Sequence, residues 1–317
     1  MSTRGRGTGP GYDRGDVADV ADRIRRIPNP AEPVPPLAWP TVWLFLGGVG
    51  LWIGSSAAYV EDVWPWPVSA VLNWIAVFML FTVMHDASHR SVSTNERVST
   101  WLGRISAFFL VPNAGFKLFR FVHMQHHRFT QTDDRQDPDY YSSHGPRWVM
   151  PLRWATQDLG YFRFYLPRLR KRPRGEKVEL AVTLALFAAV SAAAIATGHA
   201  FEWLVLWILP SRLAILSLGF AFDWLPHHDL DPPGSPPDQF KGTRNRIGLE
   251  WLVSPLMLYQ NYHLVHHLHP LVPFYRYIAV WRRNEDEYLD REPPLSTVFG
   301  RPLTVDEYRQ LRELQHH

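Results

Sequence analysis

Leu80-Phe81-Thr82-Val83-Met84-His85-Asp86-Ala87-Ser88-His89 joins two kinds of sequence without a break. As far as Met84 it is the end of an apolar run that starts at Pro67 and has Asn73 as its one strongly polar residue. Roughly 20 apolar residues are enough for a helix to cross a bilayer core of about 30 Å. From His85 onward the same helix offers imidazoles at i and i+4, which lie on one face. A membrane span that runs straight into a histidine pair is an unusual way to end a helix, and the rest of the chain repeats the theme. His123-Met124-Gln125-His126-His127 returns as His263-Leu264-Val265-His266-His267. One pair at i, i+4 is often surface or satisfied core. Eight of the fifteen histidines in three such clusters, two with one pattern, point to metal, for which neutral imidazole is the commonest ligand.

Three further spans frame the first. Residues 37–60 carry no charge until Glu61-Asp62, and Trp64 and Trp66 suit a bilayer interface. Residues 180–198 form an Ala-rich span. Residues 203–224 form another, interrupted by Pro210 and Arg212. An Arg at that depth must face protein, water or a headgroup. The short connections between paired spans hold no Lys or Arg, whereas the long intervening regions are rich in both. That asymmetry places residues 1–36, 85–177 and 225–317 on the cytoplasmic side, with both termini and every histidine cluster. The basic run 168–177 reads as a topology signal beside spans, not as a nucleic-acid site.

The expected fold is therefore an all-α integral membrane protein. Four transmembrane helices in two hairpins would carry a cytoplasmic helical cap with a His-rich dimetal site. Residues 1–36, rich in Arg, Gly and Pro, read as a disordered tail, residues 37–280 as the membrane domain, and residues 281–317 as a cytoplasmic tail. Residues 101–112 are amphipathic and too short to span, so they suit the membrane surface. Thr304 and Glu307 have the spacing of a capping box, with Val305, Tyr308, Leu311 and Leu314 on one face of the helix that follows.

Composition narrows the chemistry. The chain has no cysteine, which excludes thiolate metal sites, Cys-held iron–sulfur clusters, a Cys nucleophile and disulfides. Eight or nine imidazoles exceed what one ion can hold, so two metals are implied. Glu-x-x-His occurs once, at Glu313 to His316, whereas the soluble carboxylate-bridged di-iron bundle needs two, which argues against that family. Bis-His haem needs single histidines on facing helices rather than adjacent pairs.

His85 to His89, His123 to His127 and Asn261-Tyr262-His263-Leu264-Val265-His266-His267 together resemble the three histidine boxes of the membrane fatty acid desaturase superfamily. The resemblance covers about residues 40–280. Leu225-Pro226-His227, and residues 261–270 with Pro273-Phe274-Tyr275, are similar to the branch with desaturase-type β-carotene ring hydroxylases. It implies an O2-dependent enzyme with two non-haem Fe ions that removes hydrogen from an unactivated C–H bond of a lipid or carotenoid. A double bond or a hydroxyl results. It also implies His85, His89, His123, His126, His127, His227, His263, His266 and His267 as ligands. Electrons must come from a ferredoxin or similar protein, and residues 168–177 offer a place for an acidic donor. His228 is left to support a ligand or meet solvent, His269 to structure, and Asp86 and Asp223 are candidate acceptors for ligand N–H groups. His144, His199, His316 and His317 lack cluster partners. A rival of another class is a non-catalytic membrane metal-binding or transport protein. Such a protein should place polar residues along its spans, and these spans have little beyond Asn73 and Arg212.

Overall fold

The computed structural model describes residues 27–230 and 238–315. It is mostly helical, and four of its helices are long and apolar enough to cross a membrane. They are α1 (Trp39–Val60), α2 (Trp66–His89), α6 (Arg174–Ala196) and α7 (Ala200–His227). Between them lie α3 (Glu96–Leu110), α4 (Phe116–Phe129) and α5 (Gln157–Tyr165). After them come α8 (His263–Leu268) and α9 (Val305–Gln315).

Both outer spans leave large side chains uncovered: Trp43, Ile53 and Val60 on α1, and Val178, Val182 and Ile195 on α6. In water such faces would be costly, whereas hydrocarbon tails cover them at no penalty. The inner spans α2 and α7 are half buried. Gly48 lets α1 close on α2, because a Cβ there would sit 2.9 Å from Leu80.

The two strongly polar residues singled out in the spans, Asn73 and Arg212, have structural partners. Asn73 Nδ2 donates to the Leu206 carbonyl at 2.9 Å and to Ser56 Oγ at 3.0 Å, while Ser55 Oγ donates to Asn73 Oδ1. One amide thereby ties α1, α2 and α7 together. Arg212 donates two parallel hydrogen bonds of 2.9 Å to the buried Asp158 of α5. It faces protein, as expected, and fastens the fourth span to α5. Pro210 does not break that span. α7 runs through it with π-helical turns at Leu204–Ile208 and Gly219–Trp224, and a wide turn tolerates a residue that lacks an N–H.

The all-α expectation needs one correction. Three short strands, β1 (Asn245–Ile247), β2 (Leu295–Thr297) and β3 (Pro302–Leu303), form a sheet in that order. β1 pairs parallel with β2, and β2 pairs antiparallel with β3. Strands this short lack the alternating pattern that would announce them. The sheet positions a histidine helix, since Asn245 Oδ1 accepts from the Leu264 N–H at 3.0 Å and so holds the first turn of α8. The region after residue 281 packs into the core around α8, with Trp281, Tyr288 and Tyr308 buried there. The capping box at α9 is real, with both reciprocal bonds made. Its apolar face stops short of Leu314, which is exposed because the helix has by then run past the core that buries Tyr308.

Of the expected N-terminal tail, residues 1–26 lie outside the described residues, as do His316 and His317. The part described, from residue 27, is free of helix up to α1. Glu32 receives hydrogen bonds from Arg276 and Arg283, and the Pro35 and Pro36 carbonyls accept from Thr94 and Ser93.

Candidate metal centre

Helix period decides which rings meet. On α4, Phe116, Leu118, Phe119 and Val122 bury one face, and that face continues into His123 and His126. α8 is short but pinned at its start by Asn245. α2 and α7 deliver His85, His89 and His227 from their ends. The nine imidazoles fall into two groups whose ring nitrogens could each hold an ion: His85, His89, His123, His127 and His266 in the first, and His126, His227, His263 and His267 in the second. All nine rings singled out from the sequence are brought together.

The grouping crosses the sequence boxes. α4 sends its i, i+4 pair, His123 and His127, to the first group and the intervening His126 to the second. α8 does the reverse: His263 and His267 go to the second group, His266 to the first. Within the first group His89 Nε2 lies 2.8 Å from His123 Nε2, and His127 Nε2 lies 3.2 Å from His123 Nε2 and 2.9 Å from His266 Nε2. In the second, His267 Nε2 lies 3.3 Å from His126 Nε2 and 3.2 Å from His263 Nε2. Nitrogens that face one another so closely share a centre rather than a set of ordinary hydrogen bonds.

The protonation states suit metal. Burial pushes His123, His127, His263, His266 and His267 well below the usual imidazole value, which leaves neutral rings with a free lone pair. His126 is the exception. Burial lowers it too, but Asp137 and Asp139 outweigh that and push it up to about 9. Their charge makes this ring more basic than those five, as a carboxylate does for a ligand histidine. His227 gives the sharpest test of fit. Its Nδ1 donates to the Gly242 carbonyl at 3.0 Å, so Nε2 carries only a lone pair. That nitrogen is buried and has no hydrogen-bond partner among the described residues. An all-imidazole donor set with such an orphan suits Fe, Cu, Zn or Ni.

Several partners of these rings were not legible in the sequence. His126 Nδ1 donates to Asp137 at 2.8 Å, His263 Nδ1 to Gln260 at 2.9 Å, and His266 Nδ1 lies 2.9 Å from the Tyr277 hydroxyl. Asp137 sits in an acidic loop whose composition says only loop. Asp86 is too far from His85 Nδ1, at 3.9 Å, and accepts instead from Thr41 and the Phe274 N–H. Asp223 accepts from Ser142. His228 stacks on Trp224 outside both groups, His269 bonds the Tyr288 hydroxyl, and His144 stacks on Tyr140. A cavity reaches the rings from one side. It touches His85, His123, His126 and His263 and is otherwise mostly apolar.

Comparison with known proteins agrees with this geometry. A family model described as "Fatty acid desaturase" matches residues 61–299. A β-carotene ketolase of Paracoccus sp. is 31% identical over 246 residues, which cover 74% of this chain and 85% of that protein. An sn-1 oleoyl-lipid 12-desaturase of Arthrospira platensis is 26% identical over 291 residues, covering 80% and 78%. An sn-1 acyl-lipid omega-3 desaturase (ferredoxin) of Synechocystis sp. is 26% identical over 280 residues, covering 78% and 75%.

Proposed function

We propose, from the premise that this chain belongs to the fatty acid desaturase family and is an oxidoreductase of lipids, that it oxidises a ring carbon of a carotenoid at a two-iron centre. The carrying observation is the convergence of nine imidazoles in two groups beside a mostly apolar cavity. In this reading His85, His89, His123, His127 and His266 hold one ion, and His126, His227, His263 and His267 the other. Iron, when bound, supplies activation of O2 with electrons from an external donor. The protein's own part is to aim the rings, keep water out and guide one end of a long apolar molecule. Phe81, Met84, Leu218 and Phe222 form the apolar walls beside the rings. Those walls leave the reacting carbon no polar competitor on the hydrocarbon side.

The ring substrate is favoured by the ketolase relative, which matches at higher identity and over more of its own length than the 12-desaturase. A ketolase differs from the carotenoid ring hydroxylase, the alternative to a fatty acid desaturase in the sequence reading, in oxidising its carbon further. Desaturation of an acyl lipid is the second reading, supported by the desaturase relatives. The partners of Asn73 and Arg212 argue against transport, because both are tied into protein.

The orientation proposed from charge is multi-pass, with two hairpins and the centre on the cytoplasmic side. The connections Glu61–Pro65 and Thr197–His199 lack Lys and Arg, which supports it. A ferredoxin or similar one-electron protein is the proposed donor, in line with the name of the Synechocystis relative.

Expression in cells that make β-carotene tests the reading. A ring-oxygenated carotenoid should appear, and it should depend on iron. Unchanged carotenoids with a new acyl double bond would select the second reading. Unchanged lipids of both kinds in cells that contain the folded, iron-loaded protein would overturn both.

A further inference from the structure

The cavity beside the imidazoles is not apolar all round. Besides Phe81, Leu218 and Phe222 it is lined by Asp139, Gln157, Tyr161 and Asp223. Gln157 Nε2 donates to Asp139 Oδ1 at 3.2 Å and to the Tyr161 hydroxyl at 3.1 Å. Only the NH2 end of the amide can serve a carboxylate, so the orientation of Gln157 is set. Its Oε1 is then left facing away from both. That oxygen is buried, on a residue 6% exposed, and has no hydrogen-bond partner among the described residues. Asp223 Oδ2 accepts from Ser142 at 3.1 Å on the same wall. Asp158 lies there too, but Arg212 already occupies both of its oxygens.

A pure hydrocarbon end group would leave the Gln157 oxygen unmatched and offer Asp223 nothing beyond Ser142, and a buried unpaired acceptor is costly. An alcohol would not, because its O–H donates. We propose that Gln157 and Asp223, backed by Asp139, are positioning residues that hold a substrate end group already carrying a hydroxyl, so that it is oxidised again before it leaves. The inference rests on the lipid-oxidation reading of this site. Each oxidation inserts one atom of O2 into a C–H bond and releases the other as water, using two electrons from the donor protein and two protons. The first gives an alcohol. A second at the same carbon gives a geminal diol, which loses water to become a ketone. The wall retains the alcohol between the two events, with its remaining C–H still beside the rings.

Two measurements on the full chain in detergent test this. The first is binding of β-carotene and of its ring-hydroxylated derivative, followed by absorbance. The hydroxylated compound should bind about tenfold more tightly, the worth of one good buried hydrogen bond. Gln157→Met keeps the side-chain length without the acceptor and should bring the two affinities together. Asp223→Asn, the milder change, should shrink the preference about two- to threefold. The second is the ketone-to-alcohol product ratio, which Gln157→Met should lower about tenfold whatever the total turnover. A merely structural role would lower both products together and leave their ratio unchanged, and that result overturns the inference. Equal affinities in the unaltered chain overturn it too. If the folded protein neither binds nor oxidises either compound, the carotenoid reading falls and this inference with it.

Discussion

The two imidazole groups draw on the same pair of histidine helices, yet they are held in different ways. In the four-ring group every ring has its other nitrogen near a named partner: Asp137 for His126, the Gly242 carbonyl for His227, Gln260 for His263, and Thr130 at 3.4 Å for His267. In the five-ring group His266 has Tyr277, while His85 Nδ1 and His127 Nδ1 are buried with no hydrogen-bond partner among the described residues. A ring fixed through its far nitrogen has one tautomer and one direction. The smaller group is thus pre-aimed. The larger one relies on the number of its donors and leaves some rings free to adjust. Both groups touch the cavity, through His85 and His123 on one side and His126 and His263 on the other.

Substitutions can break or sharpen this contrast. His126→Ala removes the most basic ring of the pre-aimed group. Oxidation should fall by about 10²-fold or more, with bound iron halved by metal analysis and insertion in the membrane retained. Full activity in that variant would sink the centre as described. Asp137→Asn keeps the shape but takes away the charge behind His126. Metal affinity should fall about 10- to 100-fold, read as metal retained after dialysis against a chelator. Tyr277→Phe removes the partner of His266 in the five-ring group. Four other donors remain there, so retention in the same dialysis should fall less than about tenfold. A loss as large as that of Asp137→Asn would erase the distinction. Asp86→Asn should be the mildest for metal. Its carboxylate serves Thr41 and Phe274 rather than His85, so about 1 kcal/mol of stability should be lost with metal content unchanged.

The histidine clusters and spans were legible because each is a local pattern. Ligand spacing follows from helix period, and a span follows from about 20 apolar residues in a row. Most partners were not legible: Asp137 and Tyr277 reach the rings only through packing between segments, and Gln260, though three residues before His263, has no pattern that marks it. The same holds for Asn245, whose strand is three residues long and whose side chain fixes the start of α8. Asp86 illustrates the opposite error. Adjacent to a ligand in sequence, it points to a different neighbour, since successive residues do not share a face.

Sequence alone determined that this chain carries apolar helices of membrane length and that eight of its histidines fall in three clusters, to which the family resemblance added His227 as a ninth. It could do so because helix period and hydrophobic length act within a few turns of one segment. How those nine divide into five and four, which rings are backed by a charge, and that a residue lining the cavity keeps an unpaired amide oxygen were decided only by the tertiary structure. Each of these depends on how separate segments pack against one another, and no local pattern encodes that.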